Sequence, residues 1–276
     1  MTLSKFIDFA DRFAANDRFQ TRFDAARSFY ILAVAAFAFF VCCLGLMAFD
    51  PRQFGMELTW TKPTKFAVSF VILFLTQAFV ATCLSDRWRF NLVLVVMAVA
   101  SGCAMVFEMG YMMYQANLLE SSHWNEATPF HEMMYGLMGA GATTLMVSAL
   151  AVGAIAVFDK DAKLDPLMKW GIALGFGLSF VLTFWVAGEM AGGGGRYIGV
   201  PTDGGARVPL FGWSREVGDL RPSHFLSLHA MQILPVLALT LRGVQSGFPI
   251  LLSASAGYAI LTVLVMFQAL AGQPLY

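Results

Sequence analysis

Four histidines and two glutamates carry most of the potential chemistry in this otherwise apolar chain of 276 residues. His224 and His229 fall in RPSHFLSLHAMQILP (Arg221–Pro235), His123 in SHWN, and His131 two residues after Pro129. Neutral imidazole ligates haem iron or a transition metal and serves as a base. A carboxylate can complete a metal set or exchange a proton. Glu108 and Glu189 are therefore the candidate catalytic groups. His131, His224 and His229 are the candidate ligands of a b-type haem, and His131, His229 and Glu108 the candidate metal set. Lys65, His123, Arg221 and Gln232 complete the polar cluster.

Spacing sorts these residues further. His224 and His229 are five positions apart, which turns them about 140° from each other on an α-helix, so they are not a ready-made metal pair. His229 shares its face with Phe225 and Gln232, whereas His224 aligns with Ser227 and Leu228. Glu108, Tyr111 and Gln115 form a polar stripe at helical spacing, and His131 shares a face with Met134 and Tyr135. Methionines crowd the same segments (Met109, Met112, Met113, Met133, Met134, Met138, Met190 and Met231). Thioether with imidazole suits Cu(I), and Met is equally ordinary core packing.

The elements that must position these groups follow from composition. Hydrophobic residues make up 58% of the chain and charged residues 13%, about half the charge of an ordinary soluble domain. Apolar runs reach the roughly 20 residues needed to span a bilayer. The chain reads as an all-α integral membrane protein, a bundle of seven transmembrane helices with an eighth not excluded. The spans are expected near Phe29–Phe49, Thr64–Leu84, Phe90–Gln115, Pro129–Phe158, Met168–Met190, Pro222–Leu241 and Phe248–Ala271. Pro63, Pro129 and Pro222 are each expected at a first helical position, where the missing N–H costs nothing. Residues 1–28 read as a cytoplasmic amphipathic segment, a short helix in the membrane interface, with Phe6, Phe9, Ala10 and Phe13 on one face. Residues 29–276 read as a single transmembrane domain.

The Gly/Pro-rich stretch 191–221 reads as an outer loop, a lid or part of an eighth membrane segment. Gly171 and Gly175, like Gly136 and Ala140, have the spacing of close helix packing. Cys42, Cys43, Cys83 and Cys103 lie in apolar runs and read as small buried hydrophobes.

Orientation follows from Lys and Arg. With the N-terminus inside, 11 of the 18 fall on the cytoplasmic side and 7 outside, and the positive-inside rule favours that arrangement, with the C-terminus out. All four histidines, Glu108, Glu189 and Gln268 then fall at the outer face, where helices two, four and six present their positive N-terminal ends. Lys65 in a first turn works against that dipole and calls for Asp50, Glu57 or a lipid phosphate as partner. The balanced net charge offers nothing to nucleic acid.

KPTKF (Lys62–Phe66), SHWN (Ser122–Asn125) and GDLRPSHFLSLHAMQILP (Gly218–Pro235) resemble motifs of an uncharacterised family of bacterial multi-span inner-membrane proteins. The resemblance implies a seven- or eight-span fold and carries no activity. The inventory of histidines and acids also resembles that of the alkaline ceramidase and progestin-receptor superfamily, although the last histidine pair there has three intervening residues and here four. A final span without lysine departs from the microbial rhodopsins. One-sided histidines depart from the dihaem ferric reductases. Three functions fit: a redox protein with one haem b or metal, serving quinone or another membrane carrier; a zinc-dependent lipid hydrolase; and a non-catalytic transporter, receptor or assembly partner.

Overall fold

The computed structural model describes residues 23–55 and 57–276. The expected interfacial helix lies, up to residue 22, outside the described residues. Among the described residues, seven helices are long and apolar enough to cross a membrane. The protein is thus an all-α integral membrane protein. Its helices form two compact units, one running up to Phe54 and from Leu58 to Leu164, the other holding Gly55–Glu57 and Asp165–Tyr276.

The first unit contains α1 (Ala25–Phe49), α2 (Thr61–Thr82), the single turn α3 (Asp86–Arg89), α4 (Leu92–Leu118) and α5 (Pro129–Phe158). Two-residue strands β1 (Gln53–Phe54) and β2 (Glu57–Leu58) lie between α1 and α2. Helix starts follow from side chains that satisfy the first amides. Asp24 accepts from the amide of Ala26 at 3.0 Å, Asn91 from Val93 at 2.9 Å, and Thr128 from His131 at 3.3 Å. The Asp24 cap starts α1 four residues before the expected position. Likewise α2 begins at Thr61, so Pro63 is its third residue. Lys62 therefore lies in the first turn, and Lys65 does not.

Within this unit α1 packs most extensively on α2, α4 packs on α5, and α2 touches both α4 and α5. Phe29, Phe74, Leu94, Met105, Met109, Met112 and Met138 are fully buried in its core. These methionines pack the core of the unit. At one end of the unit, Arg89 grips Asp24 at 2.5 Å, and the carboxylate of Asp159 accepts from the amide of Ser85 at 2.7 Å. Cys43 is buried but Cys42 and Cys103 are not covered by protein, so these two do not act as core residues.

The second unit contains α6 (Pro166–Gly192), β3 (Tyr197–Ile198), β4 (Gly218–Asp219), α7 (Arg221–Thr240) and α8 (Gly247–Leu270). Its dominant contact is α6 on α7, with α8 against both. A β-carbon at Gly171 would meet the Ala238 methyl at 2.5 Å and the Leu234 carbonyl at 3.1 Å. One at Gly175 would meet the Ala230 carbonyl at 2.8 Å and the Pro235 ring at 3.0 Å. The two glycines thus seat the proline turn of α7, and α7 stays helical through it. Nothing lies within 4 Å of a β-carbon at Gly136, so that second small-residue pair is not a packing seam.

Residues 193–220 contain no helix; they form an ordered loop closed by antiparallel β3 and β4, with Tyr197 opposite Asp219. Gly218 lies so close to the Ala269 carbonyl of α8 that no side chain fits.

Candidate functional site

In the first unit, two of the motif segments meet. The Nζ of Lys62, in the first turn of α2, donates to Ser122 Oγ at 2.8 Å and lies 3.1 Å from His123 Nδ1. Since an ammonium only donates, this contact requires an unprotonated Nδ1. Around His123 stand the rings of Phe66, Trp124 and Tyr135, with centroids at 5.6, 5.8 and 6.2 Å. Trp124 holds a left-handed backbone (φ 53°), uncommon for a bulky residue. Lys62, the counterpart of the Lys65 expected from sequence, is the residue that organises this end of the unit. Asp50, one of the partners expected for Lys65, binds Arg52 at 2.8 Å and the Trp60 indole at 2.8 Å.

The stripe Glu108, Tyr111 and Gln115 is buried in α4, as its spacing requires. Its polar atoms are nonetheless incompletely matched: Glu108 Oε1, the Tyr111 hydroxyl and Gln115 Oε1 have no hydrogen-bond partner among the described residues. Glu108 lies against Gly141 of α5 and within electrostatic reach of Lys62. Gln77 of α2, Ser101 of α4 and Ser148 of α5 are likewise fully buried and unpartnered. Sequence reasoning missed these three. Ser101 carries a legible signal, because Ser101, Glu108 and Gln115 recur every seven residues and so share one helix face.

His131 is placed elsewhere. Its Nδ1 lies 2.7 Å from the Thr128 hydroxyl and its Nε2 3.2 Å from a Glu120 carboxylate oxygen, so both nitrogens are engaged near the start of α5.

In the second unit, α7 is continuous through both histidines, which therefore diverge as expected. His229 Nδ1 lies 3.2 Å from Gln232 Oε1, and its ring packs 4.2 Å from that of Phe225. Phe211 and Trp213 from the loop complete this aromatic group. His224 Nδ1 is buried without a hydrogen-bond partner among the described residues. Glu189 is half-buried in the last turn of α6.

Arg221 lies in a local network at the start of α7. Its guanidinium pairs with the buried Asp219 at 2.6 Å, donates to the Gly212 carbonyl at 2.7 Å and to the Tyr197 hydroxyl at 3.0 Å. Asp219 also accepts from the Ser214 amide at 2.8 Å. The GDLRPS part of the longest motif is thus spent on closing the loop and starting α7.

Among the described residues, no three His, Cys, Asp or Glu side chains form a group that could hold a metal ion. The set His131, His229 and Glu108 gains no support from this geometry. The fold and the buried polar line define the class: an integral membrane protein with seven membrane-length apolar helices among the described residues and, inside its first unit, a buried carboxyl oxygen without a hydrogen-bond partner among them. Comparison of the chain with protein-family profiles, curated proteins and solved structures found no match.

Proposed function

We propose that the protein is a non-catalytic membrane transporter that carries protons through its first unit, with Glu108 as the exchanging group. The observation that carries this reading is the buried Glu108 carboxylate with its unpartnered Oε1, set in a line of polar groups along α4. An ionisable group inside a span is expensive, and such groups recur in proton relays and ion pathways. The line runs from Lys62 and His123 at the unit's end, through Gln115 and Tyr111, to Glu108. Hydroxyl, amide and protonated carboxyl groups each both donate and accept hydrogen bonds, so the line can order water between exchanging groups, which suits proton passage rather than tight cation binding.

In this reading the protein sits in a bacterial inner membrane, N-terminus in the cytoplasm and C-terminus outside, on the strength of the Lys/Arg distribution and the motif resemblance. The test is proton flux into liposomes under an imposed potassium-diffusion potential, read by an entrapped pH dye. The native protein conducts, and Glu108→Gln lowers the flux at least roughly tenfold, the factor produced by about 1.4 kcal/mol of added barrier. Native flux no greater than that of empty liposomes, or an unimpaired Glu108→Gln, would overturn the proposal.

A redox reading draws on one observation, the unpartnered buried Nδ1 of His224. Such a nitrogen is a competent haem ligand. A reducible Soret band in the purified protein, lost in His224→Ala, would favour haem b and quinone chemistry. A colourless preparation would remove it.

A further inference from the structure

We infer that Gln77, Ser101 and Ser148 form a polar site inside the first unit that binds ordered water, as the deeper limb of the path leading from Glu108. The inference rests on the proton-carrying reading for its role, but not for its existence.

Register places the three groups together. Glu108 of α4 touches Gly141 of α5. Ser101 lies seven residues before Glu108 and Ser148 seven after Gly141, so antiparallel packing with heptad-spaced contacts brings the two serines level. That layer is about 10 Å along the helices from Glu108, at 1.5 Å per residue. Helices α2 and α5 start from the same end of the unit, where Lys62 meets the loop leading into α5. Counted from the helix starts at Thr61 and Pro129, Gln77 is roughly 24 Å in, against about 18 Å for Gly141 and 28 Å for Ser148. Gln77 therefore lies between the Glu108 layer and the serine layer, on a helix that packs against both α4 and α5.

The hydrogen bonding of these residues is exceptional within the bundle. Intramembrane Ser and Thr here generally donate to a carbonyl four residues back, as Thr76, Thr144, Ser255 and Thr262 do at 2.7 to 2.9 Å. Others bond across helices, as Ser179 does to the Leu228 carbonyl at 3.0 Å. Among the described residues, Ser101 and Ser148 do neither, and both ends of the Gln77 amide are without a partner. Leaving such groups unmatched in an apolar interior is costly.

A ligand that matches hydroxyls and a carboxamide must both donate and accept hydrogen bonds. Water meets this requirement, needing two to four polar partners, and the register brings four unpartnered polar atoms to neighbouring depths. Beyond the serines, Leu94, Val95 and Ala98 of α4 and Val152 and Ala156 of α5 are buried, followed by the buried polar side chains of Asn91 and Asp159. The water site thus extends the polar line from Lys62 and His123 past Glu108, deeper into the unit.

Thermal stability in detergent and water spectroscopy test the site without reference to transport. In the native protein, an infrared O–H band of internal water should shift in heavy-oxygen water. It should disappear in Ser101→Ala/Ser148→Ala, and that variant should melt lower, because its water loses partners. Thr144→Ala, which removes a hydroxyl satisfied by its own helix, should retain the band and the melting temperature. A missing band in the native protein would overturn the site. So would a double variant as stable as the native protein or more so, the result expected when a stranded hydroxyl is removed from a dry interior. A retained water band with no native proton flux would sink the transport reading and leave the site standing. Flux lost in Glu108→Gln but intact in the double serine variant would sink the proposed role of the water while sparing Glu108.

Discussion

Oε1 of Glu108 lies 2.8 Å from where a β-carbon of Gly141 would stand, so a carboxylate of α4 fills the place of a side chain on α5. The missing side chain is what lets an ionisable group lie between two packed helices. In Gly141→Ala the flexible end of Glu108 must move, so the stability cost stays near about 1 kcal/mol, the low end for an overpacked core. Its functional effect should be large: proton flux falls toward the level of Glu108→Gln while the melting temperature changes little. Native flux in Gly141→Ala would show that the position of the carboxylate is unimportant.

Gly175→Ala is expected to behave in the opposite way. Its methyl would meet the Ala230 carbonyl at 2.8 Å and the Pro235 ring at 3.0 Å, and backbone cannot swing aside. Destabilisation of about 1–3 kcal/mol follows from overpacking of this kind. Thermal melting in detergent measures it, with Gly136→Ala as the unaffected control because that position faces open space.

Asp219→Asn should open the 193–220 loop. The Asp219 side chain is 1% exposed and its Arg221 partner 18%. Removing one member of a buried pair leaves a stranded charge and costs on the order of 3 kcal/mol. Limited proteolysis should then cut the loop far faster than in the native protein, whereas Asp203→Asn at an exposed position should not change the cutting rate.

Acid should weaken the start of α1. Burial works to raise the Asp24 carboxyl, but the hydrogen bond and charge of Arg89, with the amides of Arg27 and Ala26, outweigh it and hold the group below its ordinary value of 3.8. A folded-state value below the unfolded one contributes stability that is complete above pH 3.8 and lost as pH falls through the folded value. Melting temperatures taken downward from neutral pH should therefore fall less steeply below about pH 4 in Asp24→Asn than in the native protein. An unchanged acid slope in this variant would contradict the assignment.

How much of this was legible in sequence differs by residue. Pro129 and Asp159 bracket α5, and its span is the one expected, because a first-turn proline and a charge after the last apolar residue mark both ends. Pro63 marks α2 less sharply. No residue of a first turn needs its amide hydrogen for the helix ladder, so a proline there locates the start only to within a turn. A start one turn later would put Lys65 in the first turn, whereas the start at Thr61 puts Lys62 there. The stripe of Glu108, Tyr111 and Gln115 was readable because it lies on one helix. Gln77 and Ser148 were not, since which residues of different helices share a depth depends on packing register. A contact such as Glu108 on Gly141 sets that register. Arg221 looked like a site residue, but its carboxylate partner is Asp219, two positions away, and local pairing won.

Pro235 sits where the two glycine notches of α6 close around α7. A proline in mid-helix usually leaves a weak point at which the rod can flex. Here the ring and the Ala238 methyl act as pawls in matching teeth. For α7 to turn or slide, a methyl or a carbonyl would have to climb over bare backbone. Any force applied to one of these two helices is therefore delivered to the other, and the pair behaves as a single stiff lever.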